Sequence, residues 1–221
     1  IPVYNEQATI DEVLQRVRAV PIPKEIVIVD DCSTDETQSR LAAYVGQPDV
    51  KVVYHLKNQG KGAALRTALR HVTGSVVLFQ DADLEYDPLE IPGLLGPILR
   101  NEAEIVYGSR FIGETRQSKT WIHQFGNGML TGMSNFFSGL KLTDMETCYK
   151  AFRRDVLDCL EVNQNRFGIE PELTAKLARR GYRFVEVPIS YSPRSYAEGK
   201  KINWKDGLLA LWYLFRFRFA P

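Results

Sequence analysis

Short apolar runs rich in β-branched residues alternate with segments of helical period through the first half of this 221-residue chain, and that alternation restricts the fold most. Ile10, Val13, Leu14 and Val17 recur at helical spacing before Pro21 and Pro23 stop the pattern. Glu25 to Asp30 reads as a buried strand. Ser33 with Glu36 three residues on reads as a capping box opening the next helix. Lys51 to His55 is a third strand, Gly60 and Gly62 a turn, and Leu65, Ala68, Leu69 and Val72 a further helical face. Val76 to Phe79 is the fourth strand, Asp87-Pro88 starts a helix running to about Arg100, and Glu104 to Tyr107 is the fifth strand. The β-α-β-α rhythm predicts an α/β fold with a mostly parallel central sheet flanked by helices. In such sheets ligands gather at the carboxyl ends of the strands.

After Ser109 the rhythm breaks. A polar loop from Gly113 to Lys119 precedes a helix over 121–138. Thr147 to Arg153 reads as a strand, Glu170 to Arg180 as a helix stopped at Gly181, and Phe184 to Val187 as a strand closed by Pro188. A basic loop and a helix from Trp204 follow. The expected organisation is a catalytic domain over 1–203 with a C-terminal amphipathic helix over 204–221. Hydrophobic content of 44% and charged content of 25% are those of a globular domain. A net charge of +1 offers no global electrostatic footprint, and no nucleic-acid partner is expected. Cys32, Cys148 and Cys159 have neither disulfide nor zinc spacing and read as reduced thiols of a cytosolic protein. His55, His71 and His123 are scattered and read as structural. Ile1-Pro2-Val3 reads as the inside of a strand, so residues are expected before it. The apolar run from Leu208 to Phe215 is shorter than the ~20 residues a spanning helix needs; a membrane segment beyond Pro221 is left open.

The strand ends carry the chemistry. Asp81-Ala82-Asp83-Leu84-Glu85 follows the fourth strand directly. Two carboxylates one residue apart at such a place suit a hard divalent cation, which takes one or two carboxylates and completes its shell with phosphate oxygens. Alone, the pattern is equally that of an acidic turn. Around it fall Tyr4 and Glu6 after the first strand, Asp30 and Asp31 after the second, and Arg110 after the fifth. An aromatic to stack on a base, carboxylates for base or ribose groups, and arginine with metal for a diphosphate make a nucleotide site. Neither Gly-x-Gly-x-x-Gly nor Gly-x-x-x-x-Gly-Lys follows the first strand, which argues against a dinucleotide oxidoreductase and a P-loop ATPase.

Pro2-Val3-Tyr4-Asn5-Glu6, Val29-Asp30-Asp31-x-Ser33-x-Asp35, Asn58 to Gly62, Asp81-Ala82-Asp83-Leu84 and Gly108-Ser109-Arg110-Phe111, in this order, resemble a family 2 glycosyltransferase of the GT-A fold. Glu186 to Tyr191, Arg194 and Glu198-Gly199-Lys200 are similar to the polyprenyl-phosphate sugar transferases typified by dolichyl-phosphate mannosyltransferase. The resemblance spans nearly the whole chain. It implies that Pro2, Tyr4, Glu6, Val29 and Asp31 hold the nucleoside of a nucleotide-sugar, with GDP-mannose favoured over UDP-glucose. It places Asp81, Ala82 and Asp83 along ribose and diphosphate, with Asp83 and Glu85 on Mg²⁺ or Mn²⁺. It puts Arg110, Arg194 and Lys200 on the phosphates of donor and acceptor. The chain departs from those relatives in carrying Glu85 where they tend to have Gln, and in lacking a clear counterpart of one of their lysines around 167–170.

The implied reaction is a single inverting displacement of a nucleoside diphosphate. A hydroxyl acceptor needs a general base. A phosphate monoester, with a second pKa near 6, is already an oxyanion at neutral pH and needs cations instead. Arg194, Lys200 and Lys201 supply these in one loop; Asp144 lies near where hydroxyl-acceptor relatives keep a base, and its role stays open. Asp30, Glu170 and Glu172 read as structural, and Met129, Met133 and Phe136 as core. Other readings of the chain are transfer to a saccharide or protein hydroxyl, and nucleotide-sugar binding without catalysis. The expected partners are a nucleotide-sugar and a polyprenyl phosphate, reached from the cytosolic face of a membrane on which helix 204–221 lies.

Overall fold

A computed structural model describes residues 1–113, 121–166 and 168–194, with Trp212, Tyr213 and Arg216 further on; for 121–125 it describes backbone alone. The basic segment with Lys200 and Lys201, most of the polar loop before Trp121 and most of helix 204–221 lie outside these residues.

Three parallel strands form the first sheet in the order β1-β2-β3: β1 (Pro2–Val3), β2 (Ile26–Asp30) and β3 (Val50–Tyr54). Every residue of β2 is buried because both its faces are covered. Ile26 and Ile28 pack with Ile10, Val13, Leu14 and Val17 of α1 (Ile10–Ala19) and with Leu41 of α2 (Thr37–Ala42). Val27 and Val29 point the other way, onto Ala64 and Ala68 of α3 (Lys61–Leu69).

The second sheet has the order β4-β6-β5-β7, from β4 (Val76–Phe79), β5 (Ile105–Ser109), β6 (Lys150–Arg153) and β7 (Phe184–Pro188). Beyond Ser109, where the rhythm breaks, β6 runs antiparallel to both its neighbours, whereas β5 and β7 are parallel. The reason lies in the connection. α5 (Trp121–Ser138) and the segment to Tyr149 return the chain to the end at which β5 stopped, so Lys150 enters opposite Tyr107. A short 3₁₀ turn (Pro88–Glu90) and α4 (Ile91–Leu99) link β4 to β5; α6 (Arg154–Asp158) and α7 (Ile169–Ala178) lie between β6 and β7. Asp87 caps the turn, its Oδ1 accepting from Leu89 N at 3.0 Å.

Three other local readings are corrected. Ser33 does not cap α2: its hydroxyl accepts from Asn5 N at 2.9 Å, tying the β1 and β2 loops together, and Asp35 accepts from Thr37 N at 2.9 Å instead. Of the two turn glycines only Gly60 has a left-handed backbone, with φ 98°. Gly62 lies inside α3, where a Cβ would collide with the carbonyl oxygen of Gln164. On α5, Met133 packs on the core, whereas Met129 and Phe136 are exposed. Among the described residues no helix is long and apolar enough to cross a membrane.

Candidate active site

The loops following β1, β2 and β4 each contain one non-glycine residue in the left-handed region: Asn5, Cys32 and Leu84, at φ 53°, 63° and 60°. Such strain concentrates where a backbone is bent for a purpose. The β1 and β4 loops meet: the Thr9 hydroxyl donates to Ala82 O at 2.7 Å, and Ala82 is buried in the α1-side core.

At this junction a cluster of charges forms. The Arg194 guanidinium reaches Glu6 Oε2 at 2.9 Å and Oε1 at 3.2 Å, and Asp83 Oδ2 at 3.2 Å. Asp83 Oδ1 accepts from Glu85 N. Burial, then the neighbouring Asp81 and Glu85 charges, raise the Asp83 carboxyl to about 7 despite Arg194. Glu85 itself accepts from the Tyr191 hydroxyl at 2.9 Å and from Arg194 N at 2.8 Å. Asp81 is the better compensated acid. Lys61 Nζ lies 2.9 Å from its Oδ1, and although burial opposes ionisation, Lys61 holds the carboxyl below its usual range.

These donors fit a divalent cation in one respect. Asp83 is the under-compensated acid of the loop, and a cation beside it would remove the cost of ionising it. Among the described residues no three acidic, histidine or cysteine side chains converge on one point, so donor phosphates would have to complete the coordination shell.

Arg110 is not a free cation. Its Nε and Nη2 donate to Asp144 at 2.6 and 2.7 Å, and its backbone N donates to the same carboxylate at 3.1 Å. Asp144 has no exposed surface. The guanidinium also lies 4.9 Å from the centre of the Tyr191 ring, so Tyr191 links Arg110 to Glu85. Asp31 is likewise committed: it accepts from His55 Nδ1 at 2.7 Å and from the amides of Gln59 and Gly60, fixing the loop after β3. His55 also meets Thr67, in keeping with a structural histidine. Asp30 is fully buried and accepts from Ser33 N and Gln38, as a structural acid would. Tyr4 and Pro2 are half-buried on the β1 side; Val29 is buried in the α3-facing core. The structure therefore gathers Glu6, Asp83, Glu85 and Arg194, with Arg110 one ring away, and leaves Asp31 and Val29 as framework beneath them. Lys200 lies outside the described residues.

Sequence reading missed Lys61 and Tyr191. Lys61 is half-buried, 3.4 Å from Glu170 Oε1 and 2.8 Å from Cys148 Sγ as well as beside Asp81. Its signal was its position between two glycines that pack against the backbone of 164–166. Glu172, read as a helix-start acid, is fully buried and accepts from the amides of Asn163 and Gln164.

An α/β sheet pair with an Asp-x-Asp loop at one strand end and an arginine laid across it defines the class of GT-A glycosyltransferases. The whole chain superposes on glucosyl-3-phosphoglycerate synthase of Mycobacterium tuberculosis in complex with UDP, with a TM-score of 0.77 at 22% identity over 79% of that chain. The same enzyme with Mn²⁺, UDP-glucose and glycerol 3-phosphate gives a TM-score of 0.74 at 22% identity, again over all of this chain and 79% of that one. Residues 1–161 match glycosyl transferase family 2, and the chain belongs to that family. Undecaprenyl-phosphate 4-deoxy-4-formamido-L-arabinose transferase of Enterobacter sp. (strain 638) is 30% identical over 208 residues, covering 90% of this chain and 61% of the relative. The enzyme of the same description from Sodalis glossinidius (strain morsitans) is 29% identical with the same coverage. The chain thus spans about three fifths of the length of these relatives.

Proposed function

We propose that this chain is the catalytic part of an inverting glycosyltransferase that moves a sugar from a nucleoside-diphosphate sugar to a polyprenyl phosphate. The observation that carries the acceptor class is the state of Asp144. Asp144, which the resemblance puts near where hydroxyl-acceptor relatives keep a base, is sealed from solvent and paired with Nε and Nη2 of Arg110, so it is ill suited to deprotonate a hydroxyl. An acceptor that arrives as a phosphate oxyanion needs no such base. The names of the undecaprenyl-phosphate relatives support the same class.

In this reading the walls formed by Pro2, Tyr4 and Glu6 hold the nucleoside, over a framework set by Val29 and Asp31. Asp81, with its charge maintained by Lys61, and Ala82 border the ribose and diphosphate. Asp83 would hold Mg²⁺ or Mn²⁺, which supplies charge neutralisation of the departing diphosphate. Arg194, now laid on Glu6 and Asp83, exchanges those carboxylates for phosphate oxygens, and Lys200 adds a second cation. Arg110 acts from beneath, through Tyr191. Because the acceptor phosphate is presented at a bilayer surface, the domain works as a peripheral protein there, with 204–221 as its contact.

The test is a panel of radiolabelled donors, including GDP-mannose and UDP-glucose, incubated with membranes and Mn²⁺ and extracted for lipid. Label in a polyprenyl-phosphate product is expected with one donor. Transfer only to water or to a soluble saccharide would overturn the assignment.

A further inference from the structure

The chain after β7 folds back over the loop after β4 and is pinned there by two acids. Glu90 accepts from Ser190 N at 2.8 and 3.1 Å. Glu85 accepts from the Tyr191 hydroxyl with one oxygen and from Arg194 N with the other, and its carbonyl accepts from Ser192 N at 2.9 Å. The Tyr191 ring packs on Tyr86 at 5.3 Å between centroids, beneath the Arg110 guanidinium. The result is that Arg194 leaves the backbone at a fixed point and its guanidinium falls across Glu6 and Asp83. Its Nε is buried without a partner, one donor still unfilled beside the acid loop.

A carboxylate acting as a metal ligand must direct an oxygen at the ion. Each oxygen of Glu85 instead accepts from the segment that delivers Arg194, and among the described residues Glu85 does not converge with two other acids on one point. We propose that Glu85 is a positioning residue that fixes Arg194 over the donor pocket, and that it does not ligate the metal. The carboxylate suits this task because it can accept from a hydroxyl and an amide at once, with charge-assisted strength at each. The inference rests on the donor-site reading above and is independent of the acceptor.

The experiment uses Glu85→Ala, Glu85→Gln and Tyr191→Phe in the full chain. Two quantities are read: hydrogen exchange at the Arg194 amide, and Mn²⁺ affinity in the presence of UDP and of GDP. Glu85→Ala is expected to speed Arg194 exchange by roughly tenfold, the loss of a hydrogen bond to a charged group, and Tyr191→Phe by a smaller factor. Glu85→Gln retains an acceptor and should leave that amide protected. Mn²⁺ affinity should fall by less than about tenfold in all three, since none removes a ligand and the Glu85 variants remove only a neighbouring charge. If Glu85→Ala does not fold, Tyr191→Phe carries the exchange measurement. A tenfold or greater loss of Mn²⁺ affinity in either Glu85 variant overturns the proposal, as does unchanged Arg194 exchange in Glu85→Ala and Tyr191→Phe. Neither measurement involves an acceptor, so failure to form lipid-linked product would count against the acceptor assignment alone.

Discussion

Replacing Arg110 with Met should cost more in stability than a surface arginine could. Asp144 has no exposed surface and takes two side-chain hydrogen bonds, at 2.6 and 2.7 Å, from Arg110. Removing the guanidinium leaves the carboxylate with the Arg110 backbone amide as its one remaining donor among the described residues. Breaking a buried pair from one side costs about 3–5 kcal/mol, because the other charge stays buried and uncompensated. Spread over the unfolding entropy of a domain this size, that is a fall in melting temperature of roughly 6–11 °C. Urea unfolding followed by fluorescence and circular dichroism measures it, coincident transitions establishing that a single free energy applies. The double variant Arg110→Met/Asp144→Asn, which removes the orphaned charge, should regain much of the loss. If Arg110→Met instead unfolds within about 1 kcal/mol of the parent while transfer is lost, Arg110 serves the substrate directly and its pairing with Asp144 is incidental.

Asp83→Asn should abolish the Mn²⁺ dependence of nucleotide binding, seen by titrating UDP and GDP with and without the ion; an unchanged dependence refutes its assignment. In metal-free buffer the Asp83 carboxyl titrates near 7 in the fold rather than near its ordinary 3.8, so the native state holds the extra proton between those values. Parent stability should therefore fall as pH rises through that window, and the Asn variant should lack this contribution. Gly62→Ala should destabilise by about 1–3 kcal/mol in urea, although Ala is the better helix former, because its Cβ meets the Gln164 carbonyl; a stabilised variant would show that the close approach can relax. Glu104 is held at about 2 chiefly by its hydrogen bonds to Arg183, against some desolvation. Its contribution, about 1 kcal/mol after screening, is present above the ordinary carboxyl range and lost as pH falls from about 4.5 towards 2. The stability gap between parent and Glu104→Gln should close over that range, and a gap that widens would contradict the sign.

Elements whose pattern is local were legible in the sequence. β4 and α5 fall where periodicity placed them, and β2 within one residue, because a buried strand or helix writes its own burial into a few neighbouring residues. What the sequence hid depends on partners far along the chain. The antiparallel entry of β6 is set by where the connection after α5 returns. Ser33 matches a capping box perfectly well, yet Asn5, 28 residues away, takes its hydroxyl. Gly62 looks like a turn residue but answers to the passing backbone of 164–166. In the site, the acid loop was visible as a motif, and Arg194 was named with it. That Arg110 belongs to Asp144, and that Lys61 belongs to Asp81, are charge pairings 34 and 20 residues apart that no spacing rule announces.

The left-handed residues at the strand ends have a thermodynamic consequence. Asn5, Cys32 and Leu84 hold bends that an unfolded chain seldom visits, and for Cys32 and Leu84 the conformation costs on the order of 1 kcal/mol each. That cost falls on folding, before any ligand is present. A nucleotide bound at this rim as proposed would meet loops whose entropy has already been surrendered, so its binding free energy would not be drawn down by shaping them.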